Sequence, residues 1–102
     1  MYTYKDGMIR DYFDAQAVHP GGAANSPDWL YPDLPGDRPG WNDHPTHYFR
    51  HVENVRALMI AHGLGDRQIW ITEYGWATPN TTPGFEFGNL LTFEEQADYL
   101  DC

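Results

Sequence analysis

Cysteine, basic residues and long apolar runs are scarce in this sequence, and each shortage excludes a class of protein. Cys102 is the only cysteine, so the sequence contains neither a disulfide framework nor paired thiols for a metal. No apolar run approaches the length of a membrane span. There are 6 basic residues against 15 acidic ones, and the formal charge of -9 argues against nucleic acid or an anionic membrane surface as a partner.

Apolar and aromatic side chains, by contrast, are plentiful. Hydrophobic residues make up 41% and aromatic residues 16% of the 102 residues, which indicates a folded domain and not a disordered tail. We expect the chain to be incomplete at both ends. Met1–Asp6 followed by Gly7 is typical of the last turns of a helix, and Asp98–Cys102 stops inside a helix that has just begun. No signal peptide is visible.

Two segments are predicted as strands. Tyr12–Val18 is the first, and Pro20 prevents its continuation. Gln68–Thr72 is the second, a short run of apolar and β-branched residues that is typical of a parallel strand buried on both faces. His19 and Glu73 follow the two strands directly.

Two helices are predicted from their start and stop signals. The first has Asp43 as its N-cap and Pro45 in its first turn, and Gly63 closes it. Its apolar stripe recurs at helical spacing and consists of Tyr48, Val52, Val55 and Met59. The second starts at Thr92, which forms a capping box with Glu95.

The order strand, helix, strand predicts a βαβ unit with parallel strands. Both long loops, residues 21–44 and 78–91, follow strands, as the active-site loops of a (β/α)8 barrel do. Two strands cannot close a barrel or make a stable open sheet. We therefore expect an α/β fragment of a (β/α)8 TIM barrel: two parallel strands, a connecting helix and long loops after the strands. Residues 1–102 would be part of one catalytic domain, and the rest of the barrel would be its partner.

Glu73 is the main candidate for chemistry, because active sites of α/β sheets and barrels lie at the carboxyl ends of the strands. A carboxylate there can be a nucleophile, a general base or a metal ligand. The alternative is a structural role, in an ion pair with a neighbouring arginine or as a helix cap. His19 ends the first strand in the same way, so we expect it at the same mouth, bonded either to a carboxylate or substrate hydroxyl or simply to the backbone.

Aromatic and histidine residues supply further candidates. Trp76 is either a platform for a sugar ring or an anchor for its loop. Tyr74 and Trp41 are also candidates for substrate binding, with packing of the long loop as the alternative for Trp41. His47 and His51 lie four apart on the predicted helix, but no glutamate stands between them in the zincin position. A solvated helix face is the better interpretation, and no metal site is predicted.

Four segments together resemble a known family. They are Tyr12-Phe13-Asp14-Ala15 with Ala17-Val18-His19-Pro20, Phe49-Arg50 with Val52-Glu53, Arg56 and Met59, Ile69 to Thr78, and Glu95-Gln96-Ala97 with Tyr99-Leu100. The chain is similar in them to the C-terminal half of a cellulase-type glycoside hydrolase, from the large clan of retaining (β/α)8-barrel glycosidases with two catalytic glutamates. The Ile-Thr-Glu-Tyr-Gly-Trp stretch resembles the motif of the seventh strand, so the first strand here corresponds to the sixth.

The resemblance implies that Glu73 is the nucleophile that attacks the anomeric carbon, and that His19 and Trp76 line the sugar subsite beside it. Two departures accompany it. Members often have a tyrosine directly after the His-Pro pair, bonded to the nucleophile, where Gly21 stands here. The acid/base glutamate follows the fourth strand in the family, and nothing in these 102 residues corresponds to it.

The expected function is that of a fragment of a retaining β-glycoside hydrolase. The parent would cleave β-linked polysaccharide or oligosaccharide without a metal or organic cofactor, and the sugar is left open. The fragment alone is expected to be inactive, since loss of general acid catalysis costs about 10²–10⁴-fold. The alternatives are a non-catalytic carbohydrate-binding barrel, which Gly21 favours, and a metal-dependent hydrolase that uses His19 and Glu73. Localisation is open, with secretion expected of an enzyme that acts on polysaccharide.

Overall fold

The computed structural model describes residues 1–32 and 43–101, and in them it shows a mixed arrangement of helices and strands. The regular elements are β1 (Ala15–Val18), α1 (His51–Ala61), β2 (Gln68–Ile71) and α2 (Phe93–Leu100). Short 3-10 segments lie at Tyr4–Tyr12, Pro45–His47 and Glu86–Leu90. β1 and β2 pair in parallel, so the predicted βαβ unit is confirmed as a small α/β arrangement.

The two strands continue side by side beyond their last paired residues. Within the sheet Ala15 pairs with Gln68 and Val18 with Ile71, and an isolated parallel bridge then joins Gly21 to Gly75. Gly21 is three positions beyond Val18, and Gly75 is four positions beyond Ile71. The segment that follows β2 therefore carries one extra residue. Such a bulge re-aims a side chain, and bulges are frequent beside active sites.

The predicted strands are longer than the observed ones, and their burial differs. The first strand starts at Ala15 and not at Tyr12, because Tyr12 closes the first 3-10 segment. The prediction that the second strand is buried on both faces is wrong for the described residues, since Trp70 is 59% and Ile71 is 44% exposed. In the described residues the sheet has two strands, β1 and β2.

The first segment is broken at the predicted stop. Lys5, Asp6 and Gly7 have left-handed φ and form a kink that divides Tyr4–Tyr12 into two 3-10 stretches. Gly7, with φ +82°, therefore lies at the kink, and the chain turns into a second stretch that ends at Tyr12. No helix in the described parts of the chain is long and apolar enough to cross a membrane.

The connecting helix α1 starts later than predicted. Asp43 and Pro45 do not begin it; Pro45 instead opens a separate 3-10 turn that the His44 side chain caps. Tyr48 then takes an extended conformation with φ -121° and ψ 136°, which breaks the helical path. Of the predicted apolar stripe, Tyr48 and Met59 are buried and Val52 and Val55 are half-buried, although Tyr48 lies outside the helix.

The carboxyl end of α1 follows the prediction. Gly63 has φ +74°, its N–H bonds to the carbonyl of Ile60, and the N–H of Leu64 bonds to the carbonyl of Met59. These two bonds form a Schellman motif, in which glycine satisfies the last carbonyls of the helix. Met59 and Leu64 are buried, so the same turn also closes a small apolar contact.

The start of α2 confirms the predicted capping box. The Thr92 hydroxyl accepts from the N–H of Glu95, and the Glu95 carboxylate accepts from the N–H of Thr92. Two N–H groups that a helix leaves without partners are thereby satisfied, which fixes where α2 begins.

The hydrophobic core of the described residues is built around Trp76. Ala24 and Leu91 are buried with it, and Phe49 and Tyr99 pack against the cluster. The residues come from the loops after both strands, from the segment before α1 and from α2. This core therefore lies at the carboxyl ends of the strands, where it holds the site-forming loops.

Gly22 is required by this core, and a pair of adjacent glycines tests that. A Cβ on Gly22 would lie 1.9 Å from Nε1 of Trp76, whereas a Cβ on Gly21 meets nothing within 4 Å. We predict that Gly22→Ala lowers the free energy of unfolding by about 1–3 kcal/mol through overpacking. Gly21→Ala should leave it nearly unchanged. Thermal and urea unfolding of both variants measure this, and equal effects would contradict the packing described.

Candidate functional site

His19 and Glu73 come together at the carboxyl ends of the two strands. Nδ1 of His19 lies 3.9 Å from a carboxylate oxygen of Glu73. That distance is longer than a hydrogen bond, so the two groups face each other without a direct bond. Their side chains are 59% and 78% exposed, which leaves both accessible to a ligand. The structure therefore brings together the two residues that the sequence places after adjacent strands, and their shared role in a barrel stays a prediction.

The chain around Glu73 presents different residues to its two sides. The rings of Tyr74 and Trp76 lie 6.0 Å and 5.8 Å from the ring of Phe49, which precedes α1. Because side chains of extended backbone alternate, Glu73 and Gly75 face away from this helix side. Tyr74 contacts Phe49 and is 54% exposed, and its place among the substrate-binding residues stays a prediction.

Trp76 is buried and not available as a platform. It is 5% exposed, its Nε1 donates to the carbonyl of Asn25 over 2.7 Å, and Tyr99 packs edge-on against its ring at 5.5 Å. The Gln96 side chain also donates to its carbonyl. This placement favours the loop-anchor interpretation of Trp76 over the sugar platform, because the surfaces that a sugar would need are already covered.

Asn25 is a residue whose importance the sequence did not reveal. It is 1% exposed, its side-chain amide donates to the carbonyl of His47 over 2.8 Å, and its N–H donates to the carbonyl of Gly22 over 2.8 Å. Trp76 also donates to its carbonyl, so Asn25 joins the loop after β1, the segment of His47 and the loop after β2. Loops rich in small polar residues contain many such asparagines, and the sequence pattern offers no signal that separates this one.

The histidines after the long loop do not form a metal centre. His47 belongs to the 3-10 turn and His51 opens α1, so they do not share one helix. Burial lowers the pKa of His51, and the nearby charge of His44 lowers it further. Within residues 1–32 and 43–101 there is no group of three potential ligands for a metal. Trp41 lies outside the described residues.

Three other glutamates have local structural partners. Glu53 pairs with Arg50 over 2.7 Å, which lowers the pKa of Glu53. Backbone hydrogen bonds from its own N–H and that of Gly84 lower the pKa of Glu86, and Glu95 caps α2. These contacts account for the three carboxylates, whereas the contact that Glu73 makes is with His19.

A trough with a volume of about 320 Å³ is lined by residues that follow His19 and Glu73 along the chain. We call it the loop trough, and six of its lining residues are Gly21, Thr46, His47, Gly75, Phe85 and Phe87. The two phenylalanines lie in the loop after β2 and were not among the predicted site residues. A signal was present, since Phe85 and Phe87 stand between Gly84 and Gly88 in a loop that follows a strand.

The chemistry open to this arrangement is that of an accessible carboxylate with an imidazole beside it. The carboxylate can attack an electrophilic carbon or accept a hydrogen bond, and the imidazole can bind a hydroxyl of the same ligand. Comparisons of the chain with family models, with curated proteins and with solved structures found no match. The site and the resemblance of the motifs are therefore the features that bear on function.

Substitution of Glu73 and substitution of Asn25 should differ in their effect on stability. Glu73 is exposed and makes no short bond, so we predict that Glu73→Gln leaves the thermal unfolding midpoint unchanged within error. Asn25→Ala leaves the His47 carbonyl without its donor and should cost about 1–3 kcal/mol. Calorimetry on both variants tests this, and a clear loss of stability in Glu73→Gln would assign that residue a structural role.

Proposed function

We propose that this chain contributes the sixth and seventh strands of a (β/α)8-barrel glycoside hydrolase in which Glu73 is the nucleophile. The observation that carries the proposal is the meeting of Glu73 and His19 at the carboxyl ends of adjacent parallel strands. Both residues stand at these positions in the segments that resemble the retaining glycosidases. The substrate would be a β-linked polysaccharide or oligosaccharide.

The direction of Glu73 supports a place inside a barrel. In a barrel the helices cover the outside of the strands, and catalytic residues lie at the carboxyl-terminal mouth. Tyr74 and Trp76 face the helix side through Phe49, so Glu73 lies on the side that would face the mouth. The neighbouring residues Trp70 and Ile71 point to opposite faces of β2 and are both exposed. Apolar side chains on both faces are typical of a strand that has further layers on each side.

The reaction would proceed by double displacement. The Glu73 carboxylate attacks the anomeric carbon, and the bond from that carbon to the leaving oxygen breaks as a separate carboxylic acid gives the oxygen its proton. Water then attacks the glycosyl ester, the second carboxylate takes the proton of the water, and Glu73 is released. His19, 3.9 Å from Glu73, would hold a hydroxyl of the same sugar in place. In retaining enzymes the acid/base carboxyl group lies about 5–5.5 Å from the nucleophile, and the same separation from Glu73 is expected here.

Glu73 should be labelled by a mechanism-based inhibitor. In the full-length protein that contains this chain, we predict that a 2-deoxy-2-fluoro-β-glycoside with a good leaving group forms an ester on Glu73. Glu73→Gln should lower kcat on the order of 10⁴-fold or more, a loss of the size seen for other hydrolase nucleophiles. Mass spectrometry of the labelled peptide and initial-rate assays are the measurements. Glu53→Gln, which removes only the surface pair with Arg50, is the control.

The reading frame on both sides of this chain provides an independent test. We predict upstream strands, one of which ends in a glutamate that serves as the acid/base residue. Sequencing the flanking frame is the measurement. A frame without such a strand would leave Glu73 without the second carboxylate and would contradict the retaining mechanism.

A carbohydrate-binding protein without catalytic activity is the second candidate. Gly21 favours it, because the family often has a tyrosine at this position that bonds the nucleophile, and glycine cannot make that bond. A Cβ at Gly21 would meet nothing within 4 Å, so packing does not require the glycine. The labelling experiment separates the two candidates. A protein that binds oligosaccharides but forms no ester and hydrolyses no β-glycoside would support this second function.

A further inference from the structure

We propose that the loop trough binds a second sugar unit of the chain whose neighbouring unit lies at Glu73, with Phe85 and Phe87 as its aromatic wall. This inference rests on the proposed function and specifies its substrate as an oligomer or polymer. It assigns recognition of chain length to the loop after β2 and not to Trp76, which the core buries.

The trough is connected to the candidate catalytic pair through two of its lining residues, Gly21 and Gly75. Gly21 and Gly75 lie two residues beyond His19 and Glu73, and they bridge each other in parallel. Residues two apart on extended backbone face the same side, so the glycines extend the surface that carries the pair. A Cβ at either position would meet nothing within 4 Å. The two glycines therefore leave a floor of bare backbone that a ring can approach closely.

Phe85 and Phe87 provide the wall of the trough. Their ring centroids lie 6.0 Å apart with an angle of 44° between the planes, and Phe85 is 52% exposed. Thr46 and His47 line the same trough as its polar members. The Thr46 hydroxyl bonds Nδ1 of His44 over 2.7 Å, and Nδ1 of His47 lies 3.6 Å from Asp43. A pyranose has one apolar face of C–H groups and a rim of hydroxyls. It thus matches an aromatic wall combined with a few polar groups, the usual composition of small-molecule sites.

The loop that carries Phe85 is held in shape by Asn80. The side-chain amide of Asn80 donates to the carbonyls of Thr78 and Phe85 over 2.8 Å and 3.0 Å, and its oxygen accepts from the N–H of Thr82 over 2.9 Å. A Cβ on Gly88 would lie 2.4 Å from the carbonyl of Thr78, so the two ends of the loop are in close contact. The aromatic wall is therefore preorganised, which lowers the entropy cost of binding.

The charge of the trough favours a neutral ligand. None of the described residues that line it is a lysine, arginine, aspartate or glutamate. A phosphorylated or otherwise anionic ligand would meet no lysine or arginine there, and the chain as a whole carries a formal charge of -9. A neutral saccharide has no such requirement.

The dependence of hydrolysis on chain length tests this proposal. The full-length protein is assayed on β-1,4-linked oligosaccharides of glucose, xylose and mannose, from disaccharide to hexasaccharide. Phe85→Ala removes the wall, and Gly21→Val fills the floor without a clash or a strained φ. We expect each to lower the ratio of kcat/KM for the hexasaccharide to that for the disaccharide by about tenfold, roughly 1.4 kcal/mol. Phe93→Ala, at a phenylalanine on α2 that is 64% exposed, should leave the ratio unchanged.

The outcomes distinguish this proposal from the one on which it rests. If the protein hydrolyses these sugars and the ratio is the same in wild type, Phe85→Ala and Gly21→Val, the trough proposal is overturned while Glu73 keeps its role. If no sugar is hydrolysed, the proposed function fails, and calorimetric titration with the hexasaccharides tests the trough alone. Binding that Phe85→Ala weakens and Phe93→Ala does not would support a saccharide trough, and absence of binding, or equal binding by both variants, would overturn it.

Discussion

The close contact between Trp76 and Gly22, closed by the bond from the Trp76 indole to the Asn25 carbonyl, is the interaction on which the site depends. It joins the loop after β1 to the loop after β2, and the contact of Trp76 with Tyr99 extends it to α2. The four-residue strands alone give little cohesion to the ends of the sheet. The positions of His19 and Glu73 therefore follow from a small aromatic core at the mouth as much as from the sheet.

This core also explains why Trp76 is buried while Glu73, in the same short segment, is exposed. Alternate residues of extended backbone point to opposite sides, so a tryptophan that is drawn into the core places Glu73 on the other side. The extra residue between Ile71 and Gly75 lies in the same stretch, in which Glu73 comes to 3.9 Å from His19. One short segment thus anchors the loops with one side and presents a carboxylate with the other.

The loops after the strands contribute differently to the surface. In the loop after β1, Gly22 and Asn25 are committed to packing, and Gly21 is left without a side chain beside the site. In the loop after β2, the hydrogen bonds of Asn80 hold Phe85 with its ring exposed. Stable loops with a bare floor and an aromatic wall are consistent with binding of a chain-like neutral ligand, as the two proposals require.

Local signals in the sequence determined the parallel βαβ order, the capping box at Thr92, the glycine stop at Gly63 and the place of Glu73 at a strand end, because each depends on residues close together in the chain. Tertiary structure alone decided which aromatic residues are available. Trp76 and Phe85 look alike in sequence as aromatics in a loop, but Gly22 makes room for one and the Asn80 network exposes the other. Tertiary structure also excludes Tyr48 from the predicted helix. Its ring is buried and its backbone is extended, so packing outweighs the local preference for helix.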